Sequence, residues 1–136
     1  LNKTPCCFIE IGSEEKAWKN PELGKIIART IADIQHFSIN KSIKTAIFIG
    51  GPHYCNNANK IQLSEKSNIA ISHIIPEYAL PLSESMLKEA IEKTQEHTNL
   101  LLIDWKGCGN SESKQALMSL CEKSGIEIER TEKIIK

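Results

Sequence analysis

Short, continuous apolar runs separated by segments of helical periodicity are the feature that most limits how this chain folds. The runs cover residues 6–11, 44–49, 68–75 and 100–105, and residues 126–129 form a last short predicted strand. Spacings of three and four between apolar residues predict helices over 21–36, 83–94 and 111–124, and a shorter helix over 61–66. Strands that are apolar throughout are typical of a sheet covered on both faces. The pattern therefore predicts a three-layer α/β/α fold with a mainly parallel, mixed sheet.

Length and composition predict one compact domain over residues 1–136. With 40% hydrophobic and 25% charged residues, the chain has enough apolar side chains for a core and shows no sign of disorder. No apolar run approaches the roughly 20 residues of a membrane-spanning helix, and no signal peptide precedes the first run. We therefore expect a cytoplasmic protein without a membrane partner. The start at Leu1, with an apolar run already at Cys6, is typical of a fragment or a processed product.

Charge and cysteine content disfavour two further classes of protein. The 17 basic and 17 acidic residues cancel, whereas a protein that binds nucleic acid mainly through phosphates usually carries a basic surplus. Any contact with nucleic acid must therefore be local. The five cysteines are odd in number and contain no C-x-x-C pair, which disfavours a disulfide framework or a cysteine-rich zinc finger.

Polar residues stand at four consecutive predicted strand ends. Glu10 closes the first strand, and Gly50-Gly51-Pro52-His53-Tyr54 follows the second. His73 lies near the end of the third, and Asp104-Trp105-Lys106-Gly107 ends the fourth. Ligands of such sheets bind at the carboxyl ends of the strands, so these groups converge on one crevice if the strands are adjacent and share a direction.

Two chemistries fit these side chains, and both suit ester hydrolysis. Imidazoles and carboxylates bind zinc, which activates water and polarises a carbonyl. Alternatively, a histidine acts as general base while a lysine or a backbone N–H stabilises the oxyanion. A purely structural interpretation competes with both: the two glycines form a turn, His73 is a core residue, and Asp104 pairs with Lys106.

Four segments in order carry a family resemblance. They are Glu10-Ile11-Gly12-Ser13 with Trp18, the segment 50–54, residues 72–80 (Ser-His-Ile-Ile-Pro-Glu-Tyr-Ala-Leu) and residues 102–107 (Leu-Ile-Asp-Trp-Lys-Gly). Together they resemble the archaeal and plant type of D-aminoacyl-tRNA deacylase, over almost the whole chain from Phe8 to Ile128. Members of that family are about twice as long, and the chain is similar to their C-terminal half. The resemblance implies a phosphorylase/hydrolase-like fold.

The resemblance also implies an activity, a metal and a substrate. The activity is hydrolysis of the ester that joins a D-amino acid to the 3′ end of tRNA, with zinc as cofactor and D-aminoacyl-tRNA as the partner. It implies metal or catalytic roles for three residues, Glu10, His53 and His73, and places two more in the catalytic site, Asp104 and Lys106. The residues implied in substrate binding are Gly50, Gly51, Tyr54 and Trp105. Two alternatives stay open: a non-catalytic module that needs a further half, and another hydrolase or phosphorylase on the same fold.

Overall fold

The computed structural model describes Thr4, Cys6 and residues 8–36 and 42–135. These residues fall into two compact units, an N-terminal unit within Pro5–Lys41 and a sheet unit formed mainly by Ser42–Lys136. The prediction that residues 1–136 form a single domain stays a prediction. Among the helices of the described ranges, none is long and apolar enough to cross a membrane.

The N-terminal unit contains two helices, α1 (Glu15–Trp18) and α2 (Pro21–Ile34). Helix α2 begins where the sequence predicts. The Asn20 side chain accepts a hydrogen bond from the N–H of Glu22 at 3.0 Å, and Pro21 occupies the first helical position, where its missing N–H has no cost.

The predicted first strand over 6–11 is wrong for the residues that the structure describes there; Cys7 lies outside them. Cys6 and residues 8–11 have no strand conformation, and the side chains of Phe8 and Ile9 are 95% and 40% exposed. An apolar sequence is not sufficient for a strand, because the backbone also needs a neighbour whose N–H and C=O groups pair with it. Glu10 is therefore exposed in an irregular segment rather than placed at a strand end.

The described part of the sheet unit contains one four-stranded, all-parallel sheet with the order β2-β1-β3-β4. The strands are β1 (Lys44–Gly50), β2 (Ile69–Ile75), β3 (Thr98–Asp104) and β4 (Glu127–Arg130). The helices are α3 (Asn56–Gln62), α4 (Glu84–Lys93), α5 (Ser111–Lys123) and α6 (Thr131–Ile134). Short 3₁₀ turns follow β2 at Glu77–Ala79 and β3 at Trp105–Gly107.

The two central strands bury both of their faces. Ile47 and Ile103 pack with Leu87 of α4 and Leu117 of α5 in one cluster. On the other face, apolar residues of the same strands pack with Ala58 and Ile61 of α3 and with Ile134 of α6. Helices thus cover both faces of the sheet, which confirms the predicted three-layer α/β fold.

Helix α3 differs from its prediction over 61–66. It begins at Asn56, directly after Cys55, which adopts a left-handed conformation with φ 46° and ψ 49°, and it ends at Gln62. Ala58 and Ile61, three residues apart, provide its buried side, whereas Leu63 is 82% exposed. The helix therefore extends over the residues that have a surface to pack against, and the apolar Leu63 lies outside it.

A β-bulge at Ser72 sets the orientation of the second half of β2. Ala46 of β1 lies opposite Ile71, whereas the next residue, Ile47, lies opposite His73, so Ser72 is the extra residue. The Ser72 hydroxyl donates to the carbonyl of Ala46 at 3.1 Å. The bulge places His73 beside Ile47, on the sheet face that α4 and α5 cover.

Candidate active site

The chain reverses its direction of strand addition at the boundary between β1 and β3. Strand β2 is added on one side of β1, and the chain then crosses to the other side to form β3 and β4. Gly50 and Asp104, the last residues of β1 and β3, lie opposite each other. Open parallel sheets bind ligands at such a switch point, outside the carboxyl ends of the strands. We call the space between the loops that follow β1 and β3 the β1/β3 crevice.

Three glycines bring the two loops of the crevice into direct contact. At Gly50 (φ 97°), a Cβ atom would lie 2.8 Å from Cys108 Sγ and 2.9 Å from the carbonyl oxygen of Asp104. At Gly51 (φ 78°), it would lie 3.0 Å from Asp104 Oδ2, and at Gly107 it would lie 2.5 Å from the backbone nitrogen of Gly51. Any side chain at these positions would push the loops apart, so the predicted substrate-binding pair Gly50 and Gly51 is a condition for the crevice to form.

The carboxylate of Asp104 lies at the floor of the crevice and is only 4% exposed. Its Oδ2 accepts a hydrogen bond from Asn57 Nδ2 at 3.0 Å. The predicted structural pairing with Lys106 is not observed, since no cation of the described chain lies within ion-pair distance of Asp104. A buried carboxylate is costly unless it is hydrogen-bonded, and here an amide from α3 provides that partner.

Glu77 is a second carboxylate at the crevice, and it was not among the predicted site residues. Its N–H donates to the carbonyl of Gly51 at 2.9 Å, which ties the turn after β2 to the loop after β1. Its Oε2 lies 3.4 Å from the position of a Cβ on Gly107. A signal for it was present: Pro76 ends β2, so Glu77 and Tyr78 follow a strand end just as His53 and Lys106 do.

Three exposed rings form an aromatic rim beside the crevice: His53, Tyr54 and Tyr78. The ring of His53 lies 5.2 Å from that of Tyr54 in an edge-to-face arrangement and 6.1 Å from that of Tyr78. Tyr54 and Tyr78 are 79% and 69% exposed. Exposed aromatic faces of this kind are suited to stack on a nucleic-acid base or on a flat substrate group.

A cleft of about 470 Å³ opens next to the contact between Gly107 and Gly51. Its lining consists of Glu77, Leu80, Pro81, Lys106, Gly107, Cys108, Gly109 and Ser113. This volume lies within the range of small-ligand sites, and among the described residues that line it Lys106 is the only cationic one.

His73 does not reach the strand ends. It lies opposite Ile47, three residues before Gly50, and is therefore about 10 Å below the crevice along the strand direction. Its Nε2 is buried and has no hydrogen-bond partner in the part of the chain that the structure describes. The structure thus brings Gly50, Gly51 and Asp104 together but leaves His73 on the α4 face of the sheet. The role implied for Glu10, in the N-terminal unit, stays a prediction.

The described residues do not form a ligand set for zinc. Within residues 8–36 and 42–135, together with Thr4 and Cys6, no three side chains of His, Cys, Asp or Glu are grouped to hold a metal ion. A zinc site needs three or four such ligands. The zinc prediction, with His53, His73 and Glu10 as ligands, therefore stays a prediction.

The thiols next to the crevice are neutral at physiological pH. Burial, with a contribution from Asp104, raises the pKa of Cys108 from its ordinary 9.0 to about 11. Burial, followed by the charges of Asp104 and Glu77, also raises the pKa of Cys55. Because the thiolate is the nucleophilic form, neither residue is suited to attack an ester at neutral pH.

Buried thiols make the stability of the fold sensitive to alkaline pH. Burial also raises the pKa of Cys121 from 9.0 to about 11. The folded state therefore holds this proton more tightly than the unfolded state, so the stabilisation is complete below pH 9 and is lost as the pH rises from 9 to 11. We expect a loss of about 2–3 kcal/mol in the free energy of unfolding for each such thiol, measured by denaturant unfolding.

Cys121→Ala should reduce the slope of this free energy against pH by about one proton between pH 9 and 11. The exposed Cys6 provides the control, since Cys6→Ala leaves the number of buried thiols unchanged. Equal slopes in the unsubstituted chain and in Cys121→Ala would contradict the prediction.

Comparison with known proteins gives one consistent result. A family model described as D-aminoacyl-tRNA deacylase matches residues 1–129. The chain is 40% identical over 126 residues to the D-aminoacyl-tRNA deacylase of Thermococcus kodakarensis. The aligned residues cover 93% of this chain and 45% of that protein. It is 36% identical over 132 residues to the D-aminoacyl-tRNA deacylase of Methanocaldococcus jannaschii, and this alignment covers 94% of this chain and 49% of that protein. The chain thus spans about half the length of the curated relatives it matches.

Proposed function

This chain belongs to the D-aminoacyl-tRNA deacylase family, and from that premise we propose that its β1/β3 crevice hydrolyses the ester between a D-amino acid and tRNA. The observation that carries the proposal is the grouping of polar residues at the switch point of the sheet. A histidine on the rim and two carboxylates, Asp104 and Glu77, surround the place where the loops of two strands touch. We expect this reaction to take place in the cytoplasm, where charged tRNAs are used.

In the proposed reaction, His53 acts as general base on water. The water oxygen attacks the ester carbonyl carbon, and His53 takes the proton that the water releases. Collapse of the tetrahedral oxyanion breaks the bond between this carbon and the ribose oxygen, to which His53 returns the proton. The products are a free D-amino acid and tRNA with an intact terminal hydroxyl.

The neighbouring residues support this step in different ways. Lys106 lines the cleft and stabilises the negative charge of the oxyanion. Asp104, fixed by Asn57, orients polar groups of the substrate at the floor of the crevice. Tyr54 and Tyr78 stack on the terminal base of the tRNA, since both rings are exposed beside His53.

The test is a deacylation assay with matched substrates. The chain is incubated with tRNA carrying radiolabelled D-Tyr and, in parallel, the same tRNA carrying L-Tyr. We expect release of the D-amino acid and retention of the L-amino acid. Release of both at equal rates would contradict the proposed specificity. A parallel reaction with a chelator, followed by added zinc, tests the metal requirement that the resemblance implies.

The chain's share of its relatives' length favours a second candidate, a module that needs a partner segment for catalysis. The alignment with the Thermococcus kodakarensis protein covers only 45% of that protein. If this candidate is correct, the chain alone releases no D-amino acid, and addition of the unmatched part of that relative restores release. If the chain alone turns over, the module interpretation fails. No release in either case would refute the deacylase proposal itself.

A further inference from the structure

Two cations lie against the ring of Trp105, the residue that follows the buried carboxylate of β3. The guanidinium carbon of Arg130 is 3.7 Å from the ring centroid, and Lys114 Nζ is 5.4 Å from it. Both distances lie within the range of cation–π attraction. The indole therefore holds two positive charges close together, which their mutual repulsion alone would disfavour.

Neither cation is neutralised by a carboxylate. Among the residues that the structure describes, some basic side chains on helices form ion pairs, such as Lys88 with Glu92 on α4, and others, such as Lys60 on α3, form none. Arg130 and Lys114 form none, and neither does Lys106 at the cleft. The acidic residues closest to them in sequence are Glu112, Glu129 and Glu132, and none of these lies within ion-pair distance. In a chain whose net charge is zero, this is a local positive surface.

This surface adjoins the β1/β3 crevice. Arg130 ends β4 opposite Ile103, one residue before Asp104. Lys114 lies in the first turns of α5, whose preceding loop lines the cleft through Gly109. A strand of nucleic acid that enters the crevice from the β4 side would therefore pass over the ring of Trp105.

We propose that Arg130 and Lys114, held by Trp105, bind backbone phosphates of the tRNA strand that leads to the esterified end. The inference rests on the proposed function for the identity of the nucleic acid and adds to it the residues that hold the strand. Backbone phosphates are negatively charged ligands that match two neighbouring cations without carboxylate partners. Contacts to phosphates do not depend on base sequence, which suits an enzyme that acts on the shared end of many tRNAs. The neutral net charge of the chain is then no obstacle, because the binding charge is local.

The test measures binding of uncharged tRNA as a function of salt. Lys114→Gln/Arg130→Gln removes both charges, and Lys114→Arg/Arg130→Lys keeps them. The matched control is Lys123→Gln, at the opposite end of the same helix. Dissociation constants are measured by fluorescence anisotropy between about 50 and 200 mM salt, the range in which phosphate contacts change affinity most. Thermal melting of each variant confirms that it is folded.

For the Gln double variant, we expect the slope of log K against log salt to fall by about 2, about 1 for each lost phosphate contact. The charge-preserving variant and Lys123→Gln should retain the original slope. In the deacylation assay, the Gln double variant should raise KM and leave kcat unchanged. An unchanged slope, or no measurable binding of tRNA by the unsubstituted chain, would overturn the inference. Salt-dependent binding through these residues, without deacylation by the chain either alone or with the unmatched part of the relative, would instead uphold it and refute the proposed reaction.

Discussion

His53→Gln is expected to lower kcat for deacylation of D-aminoacyl-tRNA by about 100-fold to 10,000-fold, the range for loss of a general base. Gln keeps a polar side chain of similar length but does not take a proton from water. The imidazole is exposed and has only ring contacts, with Tyr54 and Tyr78, so its removal breaks no hydrogen bond of the described fold. Rates are measured in single-turnover reactions, which isolate the chemical step from product release.

His97→Gln is the matched control for this substitution. His97 is also exposed, but it lies in the turn before β3, at the opposite end of the strand from the crevice. The control should retain the unsubstituted rate, and both variants should melt at the same temperature as the unsubstituted chain. A rate for His53→Gln within about threefold of the control would contradict its role as general base, because such a loss is far below the range for that role.

The central part of the fold could be predicted from the sequence because one physical signal determined it. The run at 44–49 is apolar from Ala46 onward, and the run at 100–105 is apolar except at Asp104; only a strand covered on both faces buries such runs. The run at 6–11 carries a similar signal, yet its described residues form no strand. Hydrophobicity reports what a segment would bury, whereas a strand also depends on a pairing neighbour elsewhere in the chain, which local sequence does not encode.

The candidate site was predictable where it followed directly from strand ends. Gly50, Gly51 and Asp104 meet because β1 and β3 are adjacent and parallel. Asn57 was not predictable, since its contact with Asp104 depends on the left-handed turn at Cys55 that starts α3 earlier than expected.

The position of His73 was not predictable either, and its implied metal or catalytic role stays a prediction. It was selected for its residue type near a strand end, but two further residues of β2 follow it, and the bulge at Ser72 turns it toward the face of α4. An imidazole can take a proton from water, but this one lies too far below the crevice to reach a substrate bound there. For this reason the proposed reaction uses His53, and not His73, for the proton transfer.

The largest structural effect is expected for Gly107→Ala. The added Cβ would lie 2.5 Å from the backbone nitrogen and 2.9 Å from the Cα of Gly51. Both neighbours are backbone atoms, so no change of rotamer relieves the contact, and the loops after β1 and β3 must separate. Overpacking of this kind costs about 1–3 kcal/mol of unfolding free energy. The displacement also moves Asp104 and Glu77 relative to each other, and a shift of about 1 Å at a reacting centre costs about 100-fold in rate.

Gly24→Ala tests the same chemical change where space is free. Apart from the neighbouring backbone of its own helix, no atom of the described residues lies within 4 Å of the position of its Cβ, and Gly24 is inside helix α2, where Ala is favoured over Gly by up to about 1 kcal/mol. Denaturant unfolding should therefore show stabilisation or no change for Gly24→Ala and a clear loss for Gly107→Ala. The deacylation rate should fall only in the second variant. If Gly107→Ala retained both its stability and its rate, the two loops could not be in backbone contact, and the crevice that brings Asp104 and Glu77 together would not exist in this form.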